Sequence, residues 1–140
     1  KVFSKEKLIQ IKKEKNRKII SLKKENSLSR QMITFFTIYA ILHSKTFQSI
    51  AKKVKSVGVY GSAVEGTLDS KSDIDLWILV ETKKSIIEIG KWKQGLTKEI
   101  GREVNLKVYT PEGILNLQKR DPIFFNELEY KSKIIQGVGF

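Results

Sequence analysis

The apolar residues of the chain recur with two periods, and these mark out its elements. Val57, Val59 and Tyr60 make a short apolar stretch that stops at Gly61, and residues 75–80 form a nearly continuous run of Leu, Trp, Ile and Val. The first reads as a strand and the second as a strand buried in the middle of a sheet. Residues 102–109 alternate instead, with Val104, Leu106 and Val108 on one face and Glu103, Asn105 and Lys107 on the other, the pattern of a strand with one buried side. Helical spacing begins behind the capping residues Asn26 and Ser27, where Met32, Phe35, Phe36, Tyr39 and Leu42 form a stripe over residues 28–42. That aromatic stripe is expected to be core, lying on the sheet just ahead of the first strand.

Residues 84–100 carry Ile86, Ile87, Ile89, Trp92, Leu96 and Ile100 on an amphipathic helix that tolerates Gly90 and Gly95. A strand, a crossover helix and a further strand predict an α/β sheet. Pro111 suits the first turn of a short helix over 111–118, and Asp121-Pro122 opens another that runs through Phe124, Phe125 and Leu128. Residues 132–136 are expected to add an edge strand. The sequence contains no internal repeats.

Ahead of these elements lies a basic arm, 1–27, preceding the domain at 28–140. Residues 1–28 hold ten Lys/Arg against three Glu, and the remaining residues seventeen against twelve acids, within a net charge of +12. As a helix, the arm would pair Leu8 and Ile9 with Ile19 and Ile20, with the seven polar residues 12–18 interrupting the stripe. As a hairpin it alternates Ile9 and Ile11 on one strand with Ile20 and Leu22 on the other, and Lys15-Asn16-Arg17 forms the turn. The hairpin would resemble the wing of a winged helix-turn-helix, with Lys12, Lys13, Lys15, Arg17 and Lys18 at the tip where a DNA backbone would lie. The recognition helix would then precede residue 1, and a chain starting with Lys rather than Met suits an upstream segment. Both readings stay open, and a lysine-rich arm is also an ordinary solvated face.

Composition removes several chemistries. At 140 residues the chain fits one domain with a sizeable core. With no cysteine and the single His43 there is no disulfide framework, no thiolate zinc site and no Cys-His nucleophile pair. His43, at the end of an apolar helical stretch, reads as a helix-end residue. The apolar stretch at 32–42 is too short to span a bilayer, and no signal-peptide pattern is visible. No membrane role is expected, and a cytoplasmic location is the default.

The informative chemistry lies between Gly61 and Leu76. A glycine after a strand lets the backbone approach a phosphate closely, and the helix-compatible Ser62 to Glu65 that follow would present amides to an anion. The Ser62 hydroxyl can cap that turn or donate to a phosphate oxygen, and Gly66 lets the chain turn back. Asp73 and Asp75 stand two apart on an extended segment, so both carboxylates project toward a common point. Two like charges there call for a cation, and all-oxygen ligation suits Mg²⁺ held by carboxylates together with substrate phosphates. Taken one at a time, each piece also reads as a turn terminus or a helix cap.

Together, Gly61-Ser62, Gly66 and Ser72-Asp73-Ile74-Asp75-Leu76 resemble the signature of the DNA polymerase beta nucleotidyltransferase superfamily, in its minimal nucleotidyltransferase branch. The Thr110-Pro111-Glu112 start, Asp121-Pro122 before aromatics and a closing glycine-flanked strand extend the likeness over residues 54–140. The resemblance implies a nucleotidyltransferase fold, a small mixed sheet with flanking helices. It also implies an activity: NMP transfer from an NTP to an acceptor hydroxyl, with Mg²⁺ or Mn²⁺ and release of pyrophosphate. Gly61, Ser62, Gly66 and Ser72 would contact the nucleotide, and Asp73 and Asp75 the metal. Such proteins often work beside a small helical protein partner as antitoxins.

The resemblance further implies a third carboxylate on a later alternating strand. Asn105 stands at that position. An amide can ligate through its carbonyl but is uncharged and cannot act as a base at neutral pH. Nucleotide binding is therefore better supported than turnover, and a nucleotide-sensing half of a DNA-binding regulator is the alternative. Glu103, Glu65 and Asp69 are the candidate substitutes for the missing acid, each also readable as a surface acid. Lys107 and Lys71 could neutralise phosphate charge.

Overall fold

The computed structural model of the protein describes residues 9–23, 25–82 and 88–140. Along the chain run β1 (Ile9–Glu14), β2 (Arg17–Leu22), α1 (Ser27–Leu42), α2 (Lys45–Ala51), β3 (Ser56–Tyr60), α3 (Ser62–Glu65), β4 (Ile74–Leu79), α4 (Ile89–Ile100), β5 (Val104–Tyr109), α5 (Pro111–Arg120), α6 (Pro122–Lys131) and β6 (Lys133–Gln136). The expected helix start at 84, with Ile86 and Ile87, lies outside the described residues, as does Leu8.

The helices begin where side chains can satisfy their first amides. Asn26 accepts from Leu28 N at 2.8 Å, Ser44 from Phe47 N at 3.2 Å, Thr110 from Gly113 N at 3.1 Å and Asp121 from Phe124 N at 2.9 Å. Pro111 and Pro122 follow the last two caps, at positions where a missing N–H costs nothing. Gly66 and Gly101 close α3 and α4 in the left-handed conformation.

The main sheet has the order β5-β4-β3-β6. β4 and β5 are parallel, joined by the crossover that contains α4, while β3 pairs antiparallel with both β4 and β6. One face buries Val57, Val59, Ile74, Leu76, Ile78 and Val104 against Ile41 of α1, Phe47 and Ile50 of α2, and Trp92 and Leu96 of α4. The other packs Tyr60, Trp77 and Leu79 against Ile114, Phe125 and Leu128 of α5 and α6. Such a small mixed sheet with helices on both faces is the architecture that the alternation and the crossover predicted.

The core role of the aromatic stripe and the length of the hairpin turn need correction. The aromatic stripe of α1 is not core: Phe35, Phe36 and Tyr39 are more than half exposed, and Leu42 lies on the same open side. The helix turns Ile33, Ile38 and Ile41 inward instead, and Ser29 and Thr34 are buried as well. The Thr34 hydroxyl donates to Val64 O at 3.1 Å, which satisfies a polar group that would otherwise oppose burial. Over residues 9–22 the basic arm takes the hairpin reading, with Ile9 opposite Leu22 and Ile11 opposite Ile20. Its turn is shorter than expected, because Arg17 already pairs with Glu14 in the ladder and Lys15 takes a positive φ of 50°.

Candidate active site

The predicted turn and the predicted acids meet at the ends of the two central strands. Tyr60 and Asp75 are opposite one another in the antiparallel ladder, so the residue after Tyr60 turns over the carboxylate of Asp75. That residue is Gly61, at φ 69°, and a Cβ built on it would lie 2.9 Å from Asp75 Oδ2. Glycine is required here twice, by the backbone angle and by the acid pressed against it. Val64 N and Glu65 N both bond back to Gly61 O, at 3.0 and 3.1 Å. The amides of Ser62 and Ala63 precede those bonds and are the ones a helix leaves for an outside acceptor.

Asp73 precedes β4 and Asp75 lies within it. Across the parallel pairing Asp75 faces Asn105, whose Nδ2 donates to Asp73 Oδ2 at 3.3 Å and to Asp75 Oδ1 at 3.2 Å. A single donor reaches both acids, so the two carboxylates converge on one point. Such a pair fits one hard cation completed by substrate oxygens. Among the described residues no group of three or more His, Cys, Asp or Glu could hold a metal ion, and Asn105 stands beside the two acids with its amide NH2 turned toward them.

The remaining predicted residues sit around this point in different roles. Gly66 has a packing reason to be glycine, because a Cβ there would stand 2.2 Å from Arg30 O of α1. Ser72 Oγ donates to Asp69 Oδ1 at 2.9 Å and accepts from Asp69 N at 3.1 Å, so its hydroxyl is committed to the turn ahead of Asp73. Glu103 is engaged by Lys93 of α4 at 3.2 Å. Glu65 and Lys71 are exposed. Lys107, two residues beyond Asn105 on the same face, holds its ammonium 5.1 Å from the centre of the Phe124 ring. His43 ends α1 as expected, with Nδ1 3.0 Å from Tyr39 O.

Two contributors escaped the sequence reading. Arg102 Nη1 donates to Ser72 O at 2.8 Å and also to Asp69 O, stapling the turn that aims Asp73. An arginine at the foot of a strand gives no sign of a carbonyl target thirty residues away. Tyr60 forms the floor beneath Asp75, its ring edge-on to Phe124 at 5.9 Å. Burial first, and the Asp75 carboxylate second, push its phenol above the ordinary tyrosine value, so it stays neutral at physiological pH. Only the strand register places Tyr60 under the acid.

A strand, a glycine turn and a second strand that returns two acids to that turn define a nucleotidyltransferase-type domain. A family model described as Polymerase beta, Nucleotidyltransferase matches residues 43–136, and the chain belongs to that family. Among solved structures it is similar to a crystal structure of a toxin-antitoxin with AMP-PNP, with 20% identity over 72% of this chain and 73% of that chain at a TM-score of 0.52. A mutant of the toxin-antitoxin MntA-HpeT aligns at 20% identity, covering 67% of this chain and 68% of that chain, with a TM-score of 0.49. No curated protein sequence matches the chain.

Proposed function

We propose that this domain binds a nucleoside triphosphate with Mg²⁺ or Mn²⁺ and transfers its NMP to an acceptor hydroxyl. The observation that carries the reading is the contact of Asp75 with the Gly61 turn, which joins a carboxylate pair to a glycine bend. In the reaction the acceptor oxygen bonds to the α-phosphorus and gives up its proton to solvent water, the bond from that phosphorus to the β-phosphate bridging oxygen breaks, and pyrophosphate leaves. Asp73 and Asp75 would hold the metal, which supplies positive charge to the phosphate oxygens. The amides of Ser62 and Ala63 would orient the phosphates, and the turn held by Arg102 would keep Asp73 aimed. That a similarly folded protein has been crystallised with AMP-PNP supports a triphosphate as the ligand.

Asn105 favours a second reading, in which the domain binds nucleotide with little turnover and serves a DNA-binding regulator. Its amide cannot accept the proton of the attacking hydroxyl, and the hairpin sets Lys12, Lys13, Lys15, Arg17 and Lys18 around one tip. A third reading, an antitoxin that modifies a protein partner, differs only in the acceptor.

Incubation with labelled NTPs and candidate acceptors tests the first reading: label should move, and should stop moving in Asp73→Asn/Asp75→Asn. Metal-dependent ATP binding without label transfer would move the assignment to the second. In that case the affinity for duplex DNA should fall steeply with salt. A flat salt dependence dismisses the hairpin as a DNA contact.

A further inference from the structure

The two carboxylates of the site are bridged by an amide, and the way they share it divides the site in two. Asn105 Nδ2 donates to Asp73 Oδ2 at 3.3 Å and to Asp75 Oδ1 at 3.2 Å. An amide nitrogen carries two hydrogens, so one NH2 group supplies one to each acid. The other oxygen of Asp75, Oδ2, is the one that lies against Gly61, 2.9 Å from where a Cβ would stand. Strand order explains the split: Asn105 belongs to β5 and Gly61 follows β3, the two strands that flank β4.

Nearby cations are engaged elsewhere. Among the described residues neither Asp73 nor Asp75 has a Lys or Arg within ion-pair distance. Lys107 holds its ammonium over the Phe124 ring, and Arg102 Nη1 is turned to the carbonyls of Ser72 and Asp69. The hydrogens of Asn105 are therefore the positive end set between two like charges, which is the task a cation would otherwise perform. A carboxylate at this strand position would act with the opposite sign, adding negative charge and drawing in a second ion about 3.5–4 Å from the first, as in two-metal phosphoryl-transfer sites. With N–H bonds aimed at the acids, the same point repels a cation. Turning the Asn105 carbonyl inward to ligate one would break both hydrogen bonds.

We infer that the Asn105 amide takes the place of a second metal ion, so that the domain binds one divalent cation per nucleotide, on the Gly61 side of the acids. The inference rests on the nucleotide-binding reading above and goes beyond it by fixing the number of metal ions. Asn105 is then a positioning residue. It keeps Asp73 and Asp75 convergent from the β5 side, and it leaves Asp73 Oδ1 and Asp75 Oδ2 to the cation that accompanies the phosphates.

Two measurements test it, neither of which needs turnover. In the first, the full chain is dialysed to equilibrium against Mn²⁺ and α,β-methylene-ATP, a nucleotide that cannot release pyrophosphate, and the bound metal and nucleotide are counted. The wild type should hold one Mn²⁺ per bound nucleotide and Asn105→Asp two. Two ions in the wild type, or still one in Asn105→Asp, would overturn the inference while leaving the nucleotide reading intact. Absence of bound nucleotide would overturn both. The second measurement is urea unfolding in EDTA without nucleotide, which reads the amide bridge by itself. Asn105→Ala should raise the unfolding constant about threefold or more, and that effect should vanish in the Asp73→Asn/Asp75→Asn background, where no like charges remain to be bridged. An equal effect in both backgrounds would show that the amide does not act through the acid pair, and the inference would fall.

Discussion

Gly61 and Gly58 show what a missing Cβ does at two neighbouring points of one strand and its turn. A Cβ on Gly58 would lie 2.2 Å from the Trp77 indole, whose Nε1 donates to Ser132 Oγ at 2.9 Å. Gly58→Ala must displace that ring and strain its bond, and we expect a loss of about 1–3 kcal/mol in urea unfolding. A midpoint within error of wild type would show that the indole has room to move. Gly61→Ala would strain a positive φ and press on Asp75, so it should abolish metal-dependent nucleotide binding in calorimetry. Retained binding would remove the turn from the site. The sequence made the functional pair readable because Gly61, Asp73 and Asp75 are rare residue types at a fixed spacing. It left Gly58 and Tyr60 unread, since their constraint comes from β4, to which they are joined only by register. Asn105→Asp would restore a third acid beside two others. It should raise Mn²⁺ affinity in a direct titration, and an unchanged titration would separate Asn105 from the metal.

Among the elements, α2 and α4 are held together by a carboxylate acting at a distance. Glu99 of α4 accepts from the Ser44 hydroxyl and, at 3.0 Å, from Thr46 N, so it completes the cap of α2. The Ser44 bond first, and the Thr46 amide next, lower the Glu99 pKa from its ordinary value. A depressed folded-state value means that the stabilisation is present above the usual carboxylate range and is lost as pH falls through the lowered value. Glu99→Gln should therefore be less stable than wild type near neutrality, and the gap should close as the pH falls through the lowered Glu99 value. A gap that persists in acid would assign the difference to packing rather than charge. The hairpin was readable from its alternation, and α5 and α6 from Pro111 and Pro122. The face of α1 was not. Spacing identifies a stripe but cannot say which of two stripes turns inward, and here Thr34 finds Val64 O while the rings stay out.

At the scale of the whole molecule, nucleotide and metal should act as one ligand. Two converging acids without a third give a weak site until phosphate oxygens complete it. Mg²⁺ alone should barely move the thermal midpoint, whereas Mg²⁺ with ATP at about a hundredfold its Kd should add about 2.7 kcal/mol. Asp75→Asn should lose that increment, and an equal shift with ATP in EDTA would contradict the carboxylate site. Among the described residues no helix is long and apolar enough to cross a membrane. The contact between Gly66 and the backbone of Arg30 reaches further than its size suggests. With a hydrogen there and no room for a methyl, α1 and the nucleotide turn have no slack between them. A shift of the helix axis toward Gly66 must therefore be taken up by the turn itself, which ties the position of the helix to the shape of the candidate site.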